Sequence, residues 1–172
     1  DRAVTPDSAE DAGLLTREIR RVLVAGRPTL LALDVEPLHE CVRDVLVEVS
    51  GEVRARYRAG QDDSRAGLLR PGADLAGRDL RGRPMAGADL RGATAIGADL
   101  RGVDLSGVDL LGVDLRDARL DGADLSTALF LTQAQVNAAG GDTATMLPDG
   151  IDRPSHWVSE VVERTVHRIP RN

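Results

Sequence analysis

The side chains best suited to chemistry are few and widely spaced. The chain of 172 residues has three histidines and one cysteine, namely His39, Cys41, His156 and His167. His39 and Cys41 are two residues apart, and on a helix this spacing directs them to different faces. No further set of residues has zinc-ligand spacing. Gly-rich phosphate loops and the GxSxG and HExxH motifs are also absent from the sequence. We therefore expect no metal, no cofactor and no enzyme activity.

Aspartate is the only potentially reactive residue type that recurs regularly, and it recurs every five residues in the middle of the chain. A regular acidic pattern can indicate calcium, but the calcium-binding β-roll uses a nine-residue Gly-rich repeat that this chain lacks. Aspartate at a corner of the chain can instead accept hydrogen bonds from nearby backbone N–H groups. We expect this structural role for the repeated aspartates.

The aspartates belong to an unbroken period of five that spans residues 73–132, which we call the tower. Written in fives, it reads ADLAG, RDLRG, RPMAG, ADLRG, ATAIG, ADLRG, VDLSG, VDLLG, VDLRD, ARLDG, ADLST and ALFLT. The third residue of each unit is large and apolar except at Ala95. The second residue is Asp in eight of the twelve units, and the fifth is Gly in nine.

A period of five matches neither the helix, at 3.6 residues, nor the strand, at two. It predicts a solenoid, in which stacked units together bury the apolar face that no single unit can bury. The third residue and the small residue two before it can both point inward on a short extended segment. The aspartate then points outward, and glycine occupies the corner because it tolerates positive φ.

The tower resembles the A(D/N)LxG signature of the pentapeptide repeat family. The resemblance covers about a third of the chain and implies a mainly β solenoid: a right-handed, four-sided parallel β-helix with four pentapeptides per coil and about three coils. We expect the centres of the units to form its core, namely Leu80, Leu90, Leu100, Leu105, Leu110, Leu115, Leu120, Leu125 and Phe130.

Composition limits the classes of partner. The net charge is −6, so we expect no direct binding to nucleic acid. Every one of the 22 basic residues is arginine. One cysteine excludes an internal disulfide and is consistent with a reducing cytoplasm. No signal peptide or long apolar run appears, which predicts a cytoplasmic protein without a membrane segment. The abundance of Ala, Gly, Val, Asp and Arg suggests a bacterial source.

The flanking regions are predicted to be helical. Residues 1–60 should form a helical region, an α-hairpin with one helix from Asp7 to about Gly26 and a second from Glu36 to about Ala59. Residues 61–72 are a linker. Residues 133–172 should hold a short capping helix, from Gln133 to about Ala139, and an extended tail anchored by Trp157. In this family, such a helix covers the exposed edge of the last coil.

Two outward-facing surfaces are candidate protein-binding sites. Asp104 and Asp124 should stack on a smooth acidic side. Leu111, Leu129 and Leu131 should form an outward apolar patch that needs a cover. The candidate covers are the N-terminal hairpin, the tail around Trp157 and a second subunit of a homodimer; we favour the tail.

These surfaces lead to three functional hypotheses. The first is a non-catalytic protein-interaction scaffold. The second follows from the resemblance: some members of the family mimic DNA, bind DNA gyrase or another type II topoisomerase, and protect it against quinolone-like inhibitors. The tower supports this poorly, because its ten aspartates face seven arginines, a net charge of only −3. The third is a regulatory or targeting domain of a larger protein.

Overall fold

The computed structural model describes residues 13, 14, 16, 17, 19–21, 23, 24, 36–58 and 67–157. The chain divides into two compact units, residues 1–62 and 63–172. In the described ranges, no helix is long and apolar enough to cross a membrane.

Helix α1, Glu36–Arg58, dominates the first unit. Pro37 suits its first turn, because a helix leaves the first N–H groups without intrahelical partners. Val53 and Ser50 are buried, and Arg54 Nε donates to Ser50 Oγ at 3.0 Å. The described residues between positions 13 and 24 are also helical. Pairing of the two helices involves residues outside the described ranges, so the hairpin stays a prediction.

The tower is a solenoid with a 20-residue coil. Parallel bridges join residues 20 apart, as in Asp74 to Thr94 to Asp114 and Asp79 to Asp99 to Arg119. Turns recur every five residues, so each coil has four sides, as the repeat predicts. The described residues contain isolated bridges but no longer strands, because only about three residues lie between successive corners. The parallel pairing and the coil length agree with a β-helix, and the right-handed sense stays a prediction.

The backbone conformation at the corners explains why the fifth residue of most units is glycine. Every glycine at the fifth position of a tower unit has φ between 63° and 69°, the left-handed region that side chains disfavour. Asp117 replaces glycine in one unit and has φ 57°. Aspartate is among the few residues that tolerate this conformation, so the coil continues without glycine there.

The unit centres fill the interior. Leu80, Leu90, Leu100, Leu105, Leu110, Leu115, Leu120 and Leu125 are each at most 3 % exposed, and the small residues two before them pack in the same cluster. A narrow coil therefore obtains its core from leucine, valine, alanine and Met85, with no aromatic residue inside the three repeat coils.

The last unit departs from the prediction. Phe130 was expected in the core, but it is half-buried, lies outside the core cluster and has φ 56°. Leu129 and Leu131 were expected to point outward, but they are only 4 % and 9 % exposed, and Leu131 joins the core cluster. The left-handed turn at Phe130 breaks the alternation of inward and outward side chains, which explains why Leu131 joins the core. Leu129 keeps the outward register, because it pairs with Asp109 in a parallel bridge, and it is buried outside the core cluster.

The coil continues after the sequence repeat ends. Helix α2, Gln133–Ala138, begins at the predicted residue, and a capping box between Thr132 and Gln135 stabilises its first turn. After it, Gly140 pairs in parallel with Arg119, and Met146 pairs with Asp124. Residues 139–147 thus form two sides of a fourth coil that has no pentapeptide pattern.

Side-chain donors bond to the backbone carbonyls at the end of the tower that have no further coil to pair with. In earlier coils, the carbonyl two residues before a unit centre accepts from the next coil, as Ala93 O does from Asp114 N at 3.0 Å. At the end of the tower, Val113 O accepts from Gln135 Nε2 at 2.9 Å and Thr145 O from Arg153 Nη2 at 2.6 Å. Edge carbonyls that would otherwise lack partners are satisfied in this way.

Trp157 supplies the donor for a third edge carbonyl of this kind, that of Ala139. It lies in the 3₁₀ helix Ser155–Trp157, is 1 % exposed, and donates from Nε1 to Ala139 O at 2.7 Å. The bridge between Arg119 and Gly140 places Gly141 in register with Leu120. A Cβ atom on Gly141 would lie 2.7 Å from Trp157 Cε3. The indole therefore occupies the space that a side chain at position 141 would need, and Trp157 anchors the tail as the sequence predicts.

Candidate protein-interaction surface

The repeated aspartates stabilise the corners of the tower. Each accepts a hydrogen bond at Oδ1 from the backbone N–H two residues later, as Asp104 does from Ser106 N at 2.9 Å. The same bond forms at Asp74, Asp79, Asp89, Asp99, Asp109, Asp114 and Asp124. The regular acidic pattern is thus accounted for by turn geometry.

Arginine pairs with five of these aspartates: four accept from one arginine at both carboxylate oxygens, and the fifth, Asp109, lies 3.7 Å from Arg91 Nε. Arg101 donates from Nε and Nη2 to the two oxygens of Asp99, at 2.8 and 2.6 Å. Equivalent two-oxygen pairs join Asp79 to Arg81, Asp89 to Arg91, and Asp114 to Arg116. The side-chain hydrogen bonds from Arg81 lower the pKa of Asp79 to about 2, and those from Arg101 lower the pKa of Asp99. This part of the surface carries paired charge.

The acidic side predicted at Asp104 and Asp124 does exist. The two residues form a parallel bridge, and Met146, which is 49 % exposed, continues the same side. Asp104 is exposed, and Asp124 accepts from Ser126 N and Oγ at 2.9 and 2.6 Å. Among the described residues, no arginine forms a salt bridge with either carboxylate. This surface is small and carries two charges.

An open groove lies beside the predicted apolar patch. It has a volume of about 410 Å³ and runs between the third coil and α2. Its coil wall includes Leu111 and Leu115, and its helix wall includes Ala134 and Ala138. Leu111 is 38 % exposed, so the described part of the tail does not provide its predicted cover. The rest of the tail lies outside the described residues.

Phe130 also lines this groove, and its backbone is strained. A bulky residue with φ 56° is an outlier, because its Cβ crowds the following carbonyl. Such a conformation costs on the order of 1–3 kcal/mol and persists only where the surroundings impose it. The strain places the only phenylalanine of the chain beside Leu111 instead of in the core.

The structure therefore redistributes the predicted site residues. Asp104 and Asp124 lie together on one side, and Leu111 lies in the groove apart from the buried Leu129 and Leu131. Sequence reasoning missed Phe130 as a surface residue because the five-residue period assigns it to the core. The missing signal was the loss of both the Asp and the Gly in the unit ALFLT, which removes the usual corner.

Within residues 36–58 and 67–157 and the other described positions, no group of three or more His, Cys, Asp or Glu side chains could hold a metal ion. The candidate site is consequently a surface of apolar contacts with hydrogen-bonding groups beside it.

The part of the chain that resembles a known protein family is the tower. The family model described as pentapeptide repeats matches residues 72–107, 85–122 and 96–130, with eight copies. An uncharacterized protein of Bacillus subtilis, YybG, is 60 % identical over 30 residues, which are 17 % of this chain and 11 % of that protein. A pentapeptide repeat protein from the thylakoid lumen of Arabidopsis thaliana is 29 % identical, with a TM-score of 0.26 over 53 % of this chain and 65 % of its own. The chain thus spans less than two thirds of either relative.

Proposed function

Because residues 72–130 belong to the pentapeptide repeat family, we propose that this chain is a non-catalytic scaffold that binds a protein partner in the groove of Leu111 and Phe130. Proteins of this family are generally non-catalytic. The family alone does not specify a binding surface, so the proposal depends on the geometry of this tower.

The observation that carries the proposal is the strained aromatic residue in an apolar groove. Asp114 and Arg116 also line the groove, but they pair with each other, with Arg116 Nη2 2.7 Å from Asp114 Oδ2. In the same groove, Leu111 is 38 % exposed and Phe130 is half-buried, so both present apolar surface. Aromatic and aliphatic anchors in a concave site are the usual source of binding energy in protein interfaces.

The experiment compares tagged wild-type protein with Leu111→Asp and with Met146→Asp in cross-linking capture from the native cell. Met146 is the matched control, because it is a large exposed apolar residue on another side of the tower. We expect a specific partner with the wild type and the control, and its loss with Leu111→Asp. Equal capture by all three proteins, with unchanged melting temperatures, would refute the groove as the binding site.

The topoisomerase hypothesis has less support from the surface. Five of the eight corner aspartates are paired with arginine, which leaves little of the continuous negative charge that a DNA mimic needs. A supercoiling assay with purified gyrase, with and without a quinolone, tests it directly. An effect abolished by Asp104→Asn with Asp124→Asn, but retained by Leu111→Asp, would replace our proposal with this function.

A further inference from the structure

Two backbone N–H groups at the groove lack the partners that their equivalents have in earlier coils. Gly72 N and Leu75 N donate to Arg91 O and Thr94 O of the second coil, at 2.8 and 2.7 Å. Gly92 N and Ala95 N donate to the third coil in the same way, both at 2.9 Å. The next pair in this series is Gly112 N and Leu115 N, which make no hydrogen bond in the described part of the chain.

These two residues line the groove because α2 replaces the extended segment that would continue the coil. Gly112 and Leu115 lie on the same wall as Leu111, with Phe130 beside them. Val113 O, the acceptor between them, is already bonded to Gln135 Nε2 at 2.9 Å. This edge therefore offers hydrogen-bond donors only, next to apolar side chains.

We propose that the groove binds a short extended segment of the protein partner by continuing the pairing between coils. Two main-chain carbonyls of that segment accept from Gly112 N and Leu115 N, and one apolar side chain contacts Leu111 and Phe130. The inference rests on the proposed function and specifies the chemistry of the partner. A continued sheet edge is a recurring mode of peptide recognition, in which main-chain bonds supply affinity and side-chain pockets supply selectivity.

The geometry of the earlier coils fixes the expected register. Acceptors for such a pair of N–H groups come three residues apart, as with Leu111 O and Asp114 O, and all the bridges are parallel. The bound segment should run parallel to residues 112–115 and use the carbonyls of its residues n and n + 3. In the tower, the N–H of residue n + 3 would donate to the position of Val113 O, as Thr94 N does to Ala73 O. Gln135 Nε2 holds this position in the free protein, so the bound segment takes the register by displacing the Gln135 side chain from Val113 O.

The test uses a blocked hexapeptide of threonine, valine, threonine, leucine, valine and threonine, titrated into ¹⁵N-labelled full-length protein. We expect downfield shifts of the Gly112 and Leu115 amide protons and slower exchange at both. A version of the peptide N-methylated at residue n + 3 should bind more weakly, because it has no N–H to replace Gln135 Nε2 at Val113 O. Leu111→Asp should weaken binding about tenfold or more, as expected for loss of a central apolar anchor, whereas Met146→Asp should not.

Three results would overturn the inference. One is binding that shifts the Leu111 methyl groups but leaves both amides unchanged, and another is undiminished binding of the peptide N-methylated at residue n + 3. The third is no binding of the peptide by a protein whose natural partner is nevertheless captured through Leu111. In the first and third cases the groove would still be the binding site, so the proposed function would survive while the inference failed.

Discussion

Replacing Gly141 by alanine should loosen the C-terminal end of the tower, because the new methyl group and the indole of Trp157 require the same space. An ideal Cβ at position 141 would lie 2.7 to 2.8 Å from three ring atoms of Trp157. The ring has little freedom to move, since it is 1 % exposed and donates to Ala139 O at 2.7 Å. The methyl group therefore forces the ring and its hydrogen bond to shift together.

The neighbouring glycine provides a matched control. A Cβ at Gly140 would lie 3.7 Å from Ala118 O, an ordinary contact, and neither glycine has the left-handed φ that would strain alanine. At an unstrained position, Gly→Ala stabilises by about 0.4–1 kcal/mol through the unfolded chain. Overpacking costs about 1–3 kcal/mol. We expect Gly140→Ala to be neutral or slightly stabilising and Gly141→Ala to destabilise by about 1–2 kcal/mol.

Urea unfolding and thermal unfolding, both followed by circular dichroism, measure the difference. A melting temperature several degrees lower for Gly141→Ala than for Gly140→Ala is expected, at about 2–4 °C per kcal/mol for a protein of this size. In a Trp157→Ala background the Gly141→Ala penalty should disappear, because the two sites interact directly. Equal stability of the two alanine variants, or a penalty that persists without the indole, would refute the reasoning.

Three further predictions concern the tower itself. Leu105→Ala should cost about 2–5 kcal/mol in urea unfolding, because the narrow coil cannot close around the lost side chain; a loss below about 1 kcal/mol would contradict this rigid packing. Gly102→Ala should cost about 1–2 kcal/mol from backbone strain alone, since φ is 64° and no atom lies within 4 Å of the added Cβ; the same unfolding experiment would show no loss if the corner could relax. The pKa of Asp79 falls from 3.8 to about 2 on folding, so its pairing stabilises the protein above pH 4, and this stabilisation is lost as the pH falls towards 2. Asp79→Asn should therefore give a melting temperature that changes less over this pH range, and an identical pH dependence would show that the pairing does not matter.

The interior of the tower could be predicted because one physical requirement repeats in every unit. Leu100 and Leu120 must enter the coil, and the corner after each must adopt positive φ, so the residue types alone report the register. The role of the outward aspartates could be predicted equally well, because each carboxylate accepts from a backbone N–H only two residues away, as Asp99 does from Arg101 N. Local rules suffice where every contact is within the unit or 20 residues away.

The end of the tower could not be predicted in the same way. Gly140 and Met146 pair with the third coil at separations of 21 and 22 residues, which no periodic rule anticipates. The indole of Trp157 contacts position 141 across 16 residues, and nothing in the intervening sequence indicates it. The groove depends on the same irregular contacts, since α2 and the turn at Phe130 form two of its walls. These contacts join residues that are far apart in the sequence and do not recur at a fixed spacing, so no local sequence pattern indicates them.

The attachment of the cap to main-chain atoms has a consequence for how such a protein can change in length. Gln135 Nε2 donates to Leu110 O and Val113 O, Gly140 N donates to Ala118 O, and Met146 N donates to Ala123 O. None of these bonds depends on which side chain the last full coil carries. A gain or loss of 60 nucleotides within the repeats would add or remove one whole coil, and the same C-terminal cap would still fit the new last coil. The number of coils is then free to drift or to be selected, while residues 133–157 are inherited as a fixed end piece.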